Sequence, residues 1–236
     1  MRLVTWNLGH RPNGTHRTDR LVTALSALAP DIAILVDPTP GADRGPLLAA
    51  LAGIGLGHQL ATQSGPHDGR ILLASRLDMV LGSLDADAEG QAVPSSVLHA
   101  YAPTGTLDVL GLRIRGCGRR HASRAACWNW LQHAASTLKR RRAILVGDFE
   151  NDAAHDAPGT KQHLRHFMDE GWQHAVPAER GAYARVDGDS LHLDHAFLSP
   201  SVQRIDARYA LEAAGLRLAG SKDSLSERPA LVVDVQ

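Results

Sequence analysis

Two apolar runs, each closing on a polar residue able to hold a ligand, constrain this chain more than anything else in it. Near the start, Leu3-Val4-Thr5-Trp6-Asn7-Leu8 has the character of a buried strand that delivers Asn7 at its end. Far along, Ala143-Ile144-Leu145-Val146-Gly147-Asp148 does the same for Asp148, with Glu150 two residues on. Layered α/β proteins place their chemistry at strand ends of this kind, where a rigid sheet holds the backbone and the loop beyond is free to vary.

The rest of the chain fits such an architecture. Its 236 residues, 44% of them hydrophobic, are enough to bury one sizeable core, so a single domain spanning 1–236 is expected. The formal net charge is +0 and the isoelectric point about 7.2, which excludes a protein that coats polyanions over its whole surface. Of the 25 basic residues only Lys139, Lys161 and Lys222 are lysines, a bias that reflects GC-rich bacterial coding rather than function. Cys117 and Cys127 need no disulfide framework, which suits a reducing cytosol. The first strand begins at about Arg2 and no apolar run reaches membrane-spanning length, so a soluble cytoplasmic protein is expected.

Periodicity predicts a helix with Leu21, Leu25 and Leu28 on its apolar face, ended by Pro30, then a strand over Ile32–Val36. A helix from about Pro46 to Leu51 follows. Strands are predicted near 70–75, 79–84, 96–101 and 107–114, and a long amphipathic helix over 122–139 leads into the Asp148 strand. A polar loop, a helix over 161–170 and strands at 183–186, 191–198, 205–210 and 230–235 complete the chain. This order suggests a four-layered α/β sandwich, two packed mixed β-sheets flanked by helices, rather than a doubly wound parallel sheet.

Four segments then line up in sequence: Thr5-Trp6-Asn7, Pro30-Asp31-Ile32-Ala33-Ile34-Leu35-Val36-Asp37, Gly147-Asp148-Phe149-Glu150 and Leu193-Asp194-His195-Ala196-Phe197-Leu198-Ser199. A fifth, Gly69 to Arg76, falls between the second and third. Together they resemble the endonuclease/exonuclease/phosphatase superfamily, the deoxyribonuclease-I-like fold, and they span the whole chain. The resemblance implies hydrolysis of a phosphodiester or phosphomonoester with Mg²⁺ or Mn²⁺, on a nucleic-acid or small phosphorylated substrate. It casts Asn7 as holding a metal-bound water or phosphate oxygen, Asp37 at the metal-binding glutamate position, and Asp148 as orienting or deprotonating the attacking water. Asp194 takes the position of the aspartate that supports a catalytic histidine. The chemistry is sound in itself: Mg²⁺ prefers carboxylate, amide and water oxygens and acidifies a bound water, whose proton a nearby carboxylate accepts. Asp37, preceding Pro38, serves equally well to begin a turn.

The departures point elsewhere. Family members end with Ser-Asp-His before a last apolar strand; here the segment is Leu225-Ser226-Glu227-Arg228-Pro229. Aligned on the proline, Ser226 replaces the aspartate and Glu227 the histidine. Glu150 stands where an asparagine is usual, and Arg113 where histidine or tyrosine is common. Asp37, Asp148, Glu150, Asp194 and Glu227 are thus expected to face one cleft, with Asp37, Glu150 and Asn7 as metal ligands. Asp148, Asp194, Asn7 and Glu227 form the expected catalytic set. Arg113 and Arg228 are the candidates to hold a phosphate, since guanidinium matches its geometry.

Among the histidines, His192 shares the face of Asp194 and is a substrate-binding candidate, His67 lies in a loop that could reach the cleft, and His195 should point the other way. His163 and His166 are expected on solvated surface. Trp128 and Trp130, two apart on one helix, are expected to divide between inside and outside. The Lys139–Arg142 run is expected to meet the C-terminal end of its helix rather than nucleic acid. Besides hydrolysis, two readings stay open: a catalytically silent member that binds through the old cleft, and a different reaction on a rebuilt carboxylate-rich site.

Overall fold

The structure is a computed structural model that describes residues 1–9, 15–38, 44–62, 71–84, 97–114, 121–150, 158–177, 183–184, 190–191 and 193–236. In chain order its elements are β1 (Arg2–Asn7), α1 (Thr15–Leu28), β2 (Ile32–Val36), α2 (Arg44–Gly53), β3 (His58–Ala61), β4 (Ile71–Ser75), β5 (Val80–Leu81), β6 (Val97–Tyr101), β7 (Asp108–Arg113) and α3 (His121–Leu138). Then come β8 (Ala143–Asp148), α4 (Pro158–Asp169), β9 (Gln173–His174), β10 (Tyr183–Ala184), β11 (Ser190–Leu191), β12 (Asp194–Leu198), β13 (Arg204–Ala210), β14 (Glu212–Ala213), β15 (Leu216–Arg217) and β16 (Ala230–Val235).

Two six-stranded mixed sheets dominate. The first runs β13-β16-β1-β2-β4-β3 and the second β5-β6-β7-β8-β12-β9. Each has one parallel pair, β1 with β2 and β7 with β8. Strand alternation builds three apolar layers from one chain. Leu3, Ile34, Ile144, Val146, Ala196 and Val233 fill the space between the sheets. Val4, Trp6, Leu35 and Val232 turn outward to meet Leu21, Leu25, Leu47 and Leu51 of α1 and α2. Leu110, Leu145 and Phe197 turn outward on the second sheet to meet Trp128, Leu131, Leu164 and Phe167 of α3 and α4. The result is the four-layered sandwich expected from the element order.

The details differ where sequence signals are short or polar. The edge strand His58–Ala61 and the two-residue Gln173–His174 carry too little apolar pattern to announce themselves. The strand expected over 191–198 divides, with Ser190–Leu191 pairing Tyr183–Ala184 and a new strand starting at Asp194. Trp128 and Trp130 are both buried, contrary to the expected division. His163 is not on solvated surface either: its ring stacks on Trp128, centroids 4.6 Å apart. The basic run lies beyond the last turn of α3 and pairs with specific groups: Lys139 reaches Glu170, Arg141 reaches Asp108, and Arg142 donates to the Gln236 carbonyl. Cys127 is buried, and Cys117 lies outside the described residues. No helix among the described residues is long and apolar enough to cross a membrane.

Candidate active site

Alternation decides what the strand ends present. On β1 the inward residues are Leu3, Thr5 and Asn7; on β8 they are Ile144, Val146 and Asp148; on β12 they are Asp194, Ala196 and Leu198. β8 and β12 run antiparallel with Asp148 directly opposite Asp194. The facing sheet brings Asn7 to the same place, where its Nδ2 donates to Asp148 Oδ2 at 2.7 Å. Gly147 is required immediately before Asp148: its φ is +142°, and a Cβ there would run into the Leu112 carbonyl of the adjoining strand. Among the described residues only four non-glycines have positive φ, and Asp37 and Glu150 are two of them. The other two, Ala29 and Ala214, lie away from the carboxylates, so left-handed backbone marks these strand ends without being confined to them.

A single guanidinium organises the cluster. Arg228 Nη1 lies 2.6 Å from Asp148 Oδ1 and 3.9 Å from Asp194 Oδ2, while Nη2 donates to Glu150 Oε1 at 2.7 Å. The Glu150 amide donates to Asp148 Oδ1 at 3.0 Å, the bond that accompanies its left-handed backbone. Asp148 is fully buried and Asp194 is 3% exposed. Burial pushes Asp148 up to about 6; Arg228 opposes that rise and Glu150 adds to it. Asp194 is raised well above the usual carboxylate range, first by burial and then by the Asp148 charge beside it. Its Oδ1 is buried with no hydrogen-bond partner among the described residues. Arg228 is more firmly protonated than a free arginine, because the three carboxylates outweigh its own burial.

The five carboxylates expected in one cleft do not gather as one group. Asp148, Glu150 and Asp194 surround Arg228. Asp37 is buried and accepts from Arg113 Nη1 at 2.5 Å, so the two form a separate pair at the ends of β2 and β7. Glu227 is exposed and has no hydrogen-bond or ion-pair partner among the described residues. The alignment on Pro229 explains that correction. The segment bends at Glu227 and Arg228, and the Ser226 hydroxyl closes the turn on the Arg228 amide, which leaves Ser226 buried, Arg228 half-buried and Glu227 exposed. Ser226 is buried, its hydroxyl donating to the Asn7 carbonyl at 2.5 Å and accepting from the Arg228 amide at 3.0 Å. His195, as expected, faces away from Asp194; it lies edge-on to Phe149 and within 2.9 Å of His174. His192 and His67 lie outside the described residues.

Three positioning groups carry no motif of their own. The Trp6 indole donates to the Arg228 carbonyl at 2.9 Å, Ser226 holds the Arg228 amide, and the Tyr209 hydroxyl donates to the Asp194 carbonyl at 2.8 Å. Trp6 was within the first motif but reads there only as core. Tyr209 sits in β13, with nothing around it in sequence to signal a role.

The Mg²⁺ or Mn²⁺ implied by the resemblance does not suit this donor set. Of the three expected ligands, Asp37 is held by Arg113, Glu150 by Arg228, and Asn7 points its amide nitrogen, a donor, at Asp148. Among the described residues no three His, Cys, Asp or Glu side chains come together as a metal-binding group.

Two packed mixed sheets between helix layers, with Asn7, Asp148 and Asp194 meeting at one end, make this the deoxyribonuclease-I-like fold of endonuclease/exonuclease/phosphatase proteins. Solved structures agree across the full chain. NExo, a 3′ phosphatase from Neisseria bound to a product DNA hairpin, superposes with a TM-score of 0.76 at 19% identity, covering 100% of this chain and 99% of that one. An AP endonuclease from Archaeoglobus fulgidus gives 0.73 at 17% identity, with 99% and 98% covered. An endonuclease/exonuclease/phosphatase from Beutenbergia cavernae gives 0.70 at 16%, covering 100% of this chain and 71% of its own. No family model matches the chain, and no curated protein matches its sequence.

Proposed function

We propose that this protein hydrolyses a phosphate ester at the Asn7–Asp148–Asp194 end of the sandwich, with Asp148 as the base. The observation that carries the reading is the 2.7 Å bond from Asn7 to Asp148, which joins the two sheets at their inward-facing strand ends. Asp148, raised to about 6, is ionised near neutrality yet basic enough to take a proton in the transition state. Its oxygens are fixed by Asn7, the Glu150 amide and Arg228, so no reorientation is needed as that proton arrives. In the proposed step, water oxygen bonds to phosphorus, the ester P–O bond breaks, the water proton passes to Asp148, and the departing oxygen takes a proton from solvent. Arg228, part-exposed beside the cluster, is the group that meets the phosphate, turning one face of its fork from Glu150 toward the ester oxygens. Asp194, whose pKa is raised by burial and by the Asp148 charge, repels that anion less than a free carboxylate does. The metal ligation expected for Asp37, Glu150 and Asn7 takes no part in this mechanism, and neither does Glu227.

The substrate class follows from the same chemistry: a phosphodiester or phosphomonoester. A nucleic-acid end is the first candidate, because the Neisseria protein of the same fold holds a DNA product. A second reading is favoured by a specific observation. Asp148 is 0% exposed, with both carboxylate oxygens engaged, and that suits a cleft that binds phosphate esters without turning them over.

Aryl phosphate mono- and diesters and a 3′-phosphorylated DNA hairpin, assayed with and without added Mg²⁺ and Mn²⁺, separate these readings. Turnover that disappears in Asp148→Asn supports hydrolysis. Saturable binding of the hairpin without turnover supports the binding reading. Neither turnover nor binding would sink both.

A further inference from the structure

We propose that Arg228 is the resident cation of this site, a side chain that occupies the carboxylate cluster in place of a divalent ion and excludes one. The inference goes beyond the proposed activity and does not depend on it.

Three observations converge. The guanidinium reaches all three carboxylates of the cluster, at 2.6 and 2.7 Å to Asp148 and Glu150 and 3.9 Å to Asp194. These carboxylates cannot lie together ionised without a cation among them, and the planar fork supplies charge to each in a different direction. Its placement is also built from behind. The Arg228 amide is held by the buried Ser226 hydroxyl, and its carbonyl by the Trp6 indole of β1. Ser226 in turn donates to the carbonyl of Asn7, so the socket that aims Arg228 is tied to the same strand end that delivers Asn7. The side chain therefore enters the cluster from a fixed backbone, not as a mobile surface arginine folding over it. Finally, the cluster is not saturated: buried Asp194 Oδ1, and Arg228 Nη1 in spite of its ion-pair distances, have no hydrogen-bond partner among the described residues. Removing the arginine leaves the oxygens of Asp148, Glu150 and Asp194 around the space its guanidinium held; as placed they do not form a metal-binding group, and a divalent cation, which takes such oxygens, draws them together.

The expectation is a reversal on substitution. Mn²⁺ titrated into the full wild-type chain, followed by electron paramagnetic resonance and by thermal unfolding, produces neither saturable binding nor a change in Tm, and a chelator changes nothing. Arg228→Met gains saturable Mn²⁺ binding, at least roughly tenfold tighter than wild type, and its Tm rises with the ion. Adding Glu150→Gln to Arg228→Met removes that gain, which locates the ion in the cluster. Arg228→Lys keeps the charge and stays unresponsive.

Saturable Mn²⁺ binding by the wild type that Glu150→Gln abolishes overturns the proposal. So does a folded Arg228→Met that binds no more Mn²⁺ than wild type, or an Arg228→Lys that binds it. Should Arg228→Met be unfolded alone, folding on addition of Mn²⁺ supports the proposal and failure to fold with it counts against. Failure here and failure of the proposed activity are separable, since these readouts need no substrate. Ester turnover that requires Mn²⁺ leaves the hydrolase reading intact and removes this one. No turnover in a chain indifferent to Mn²⁺ does the reverse.

Discussion

The two ends of the sandwich hold charge in opposite ways. Where β1, β7 and β8 begin, Asp234 and Asp108 each have partners of their own. Arg2 grips Asp234 through Nε and Nη2 at 2.8 and 3.0 Å, and that bond holds Asp234 below the usual carboxylate range. Asp108 is buried against His99 at 2.9 Å, with Arg141 at 3.5 Å, and burial keeps the His99 pKa low in spite of the aspartate. Where the same strands end, three carboxylates crowd one guanidinium, and Asp148 and Asp194 are both raised. One end is arranged for stability. The other raises two buried carboxylates side by side, the perturbation on which the proposed site rests.

The largest expected effect separates the ends by activity. Asp148→Asn keeps the shape of the cluster and removes the base, so ester turnover should fall by about 10²- to 10⁴-fold. Asp108→Asn, at the far end, should leave turnover unchanged and lower only the unfolding free energy. Equal losses of turnover in the two variants would erase the functional contrast.

Next is stability itself. Removing one member of a buried ion pair leaves the other charge uncompensated, which costs about 3–5 kcal/mol. Arg228→Met should show a loss of that order in urea unfolding at neutral pH without added metal. The Arg2 pair is part-exposed, so Arg2→Met should cost only about 1 kcal/mol. Comparable losses would mean that Arg228 is not carrying the cluster.

Sequence made one end legible and concealed the other. Asn7 and Asp148 stand out because an apolar run with period two must deliver its last inward residue to the sheet end, and each of them is that residue. Asp194 was visible as a carboxylate beside an apolar run. Arg228 was visible only as an anion-binding candidate, and the place of the lost histidine went to its neighbour Glu227. Counting back from Pro229 assigned positions but not faces. The buried Ser226, bonded to a backbone carbonyl more than two hundred residues away in sequence, sets which side chain turns inward. Tyr209 behind Asp194 and His99 beside Asp108 were equally hidden, since Tyr209 reaches Asp194 from the facing sheet and His99 reaches Asp108 from the paired strand, contacts that no local pattern encodes.

Acidity offers a third test, smaller and opposite in sign at the two ends. Asp148, raised to about 6, binds its proton more tightly in the folded chain than in the unfolded one. The stability it contributes is complete below about pH 4 and disappears as the pH rises through 6. Asp194 acts in the same direction. Relative to wild type, Asp148→Asn should therefore gain roughly 3 kcal/mol between about pH 4 and pH 8, as followed by urea unfolding across that range. The rate of ester hydrolysis should climb over the same interval, with a limb near 6 that belongs to the coupled cluster rather than to one residue. A flat stability difference would place Asp148 in a far more polar setting than its burial describes.

Asp234 supplies the smallest effect and the reversed sign. Its pKa is depressed, so its contribution is present above the ordinary carboxylate range and is lost as the pH falls through the folded value. Asp234→Asn should cost about 1 kcal/mol at pH 7 and nothing in strong acid, where the wild-type carboxylate is protonated as well. Salt provides the finer discrimination. The Arg2–Asp234 pair is 33% and 20% exposed, so molar salt should screen most of that cost. The Asp148–Arg228 pair is 0% and 16% exposed, and the penalty of Arg228→Met should persist under the same conditions. If both penalties shrink together with salt, water reaches the carboxylate cluster as freely as it reaches the far end, and the opposition between the two ends fails.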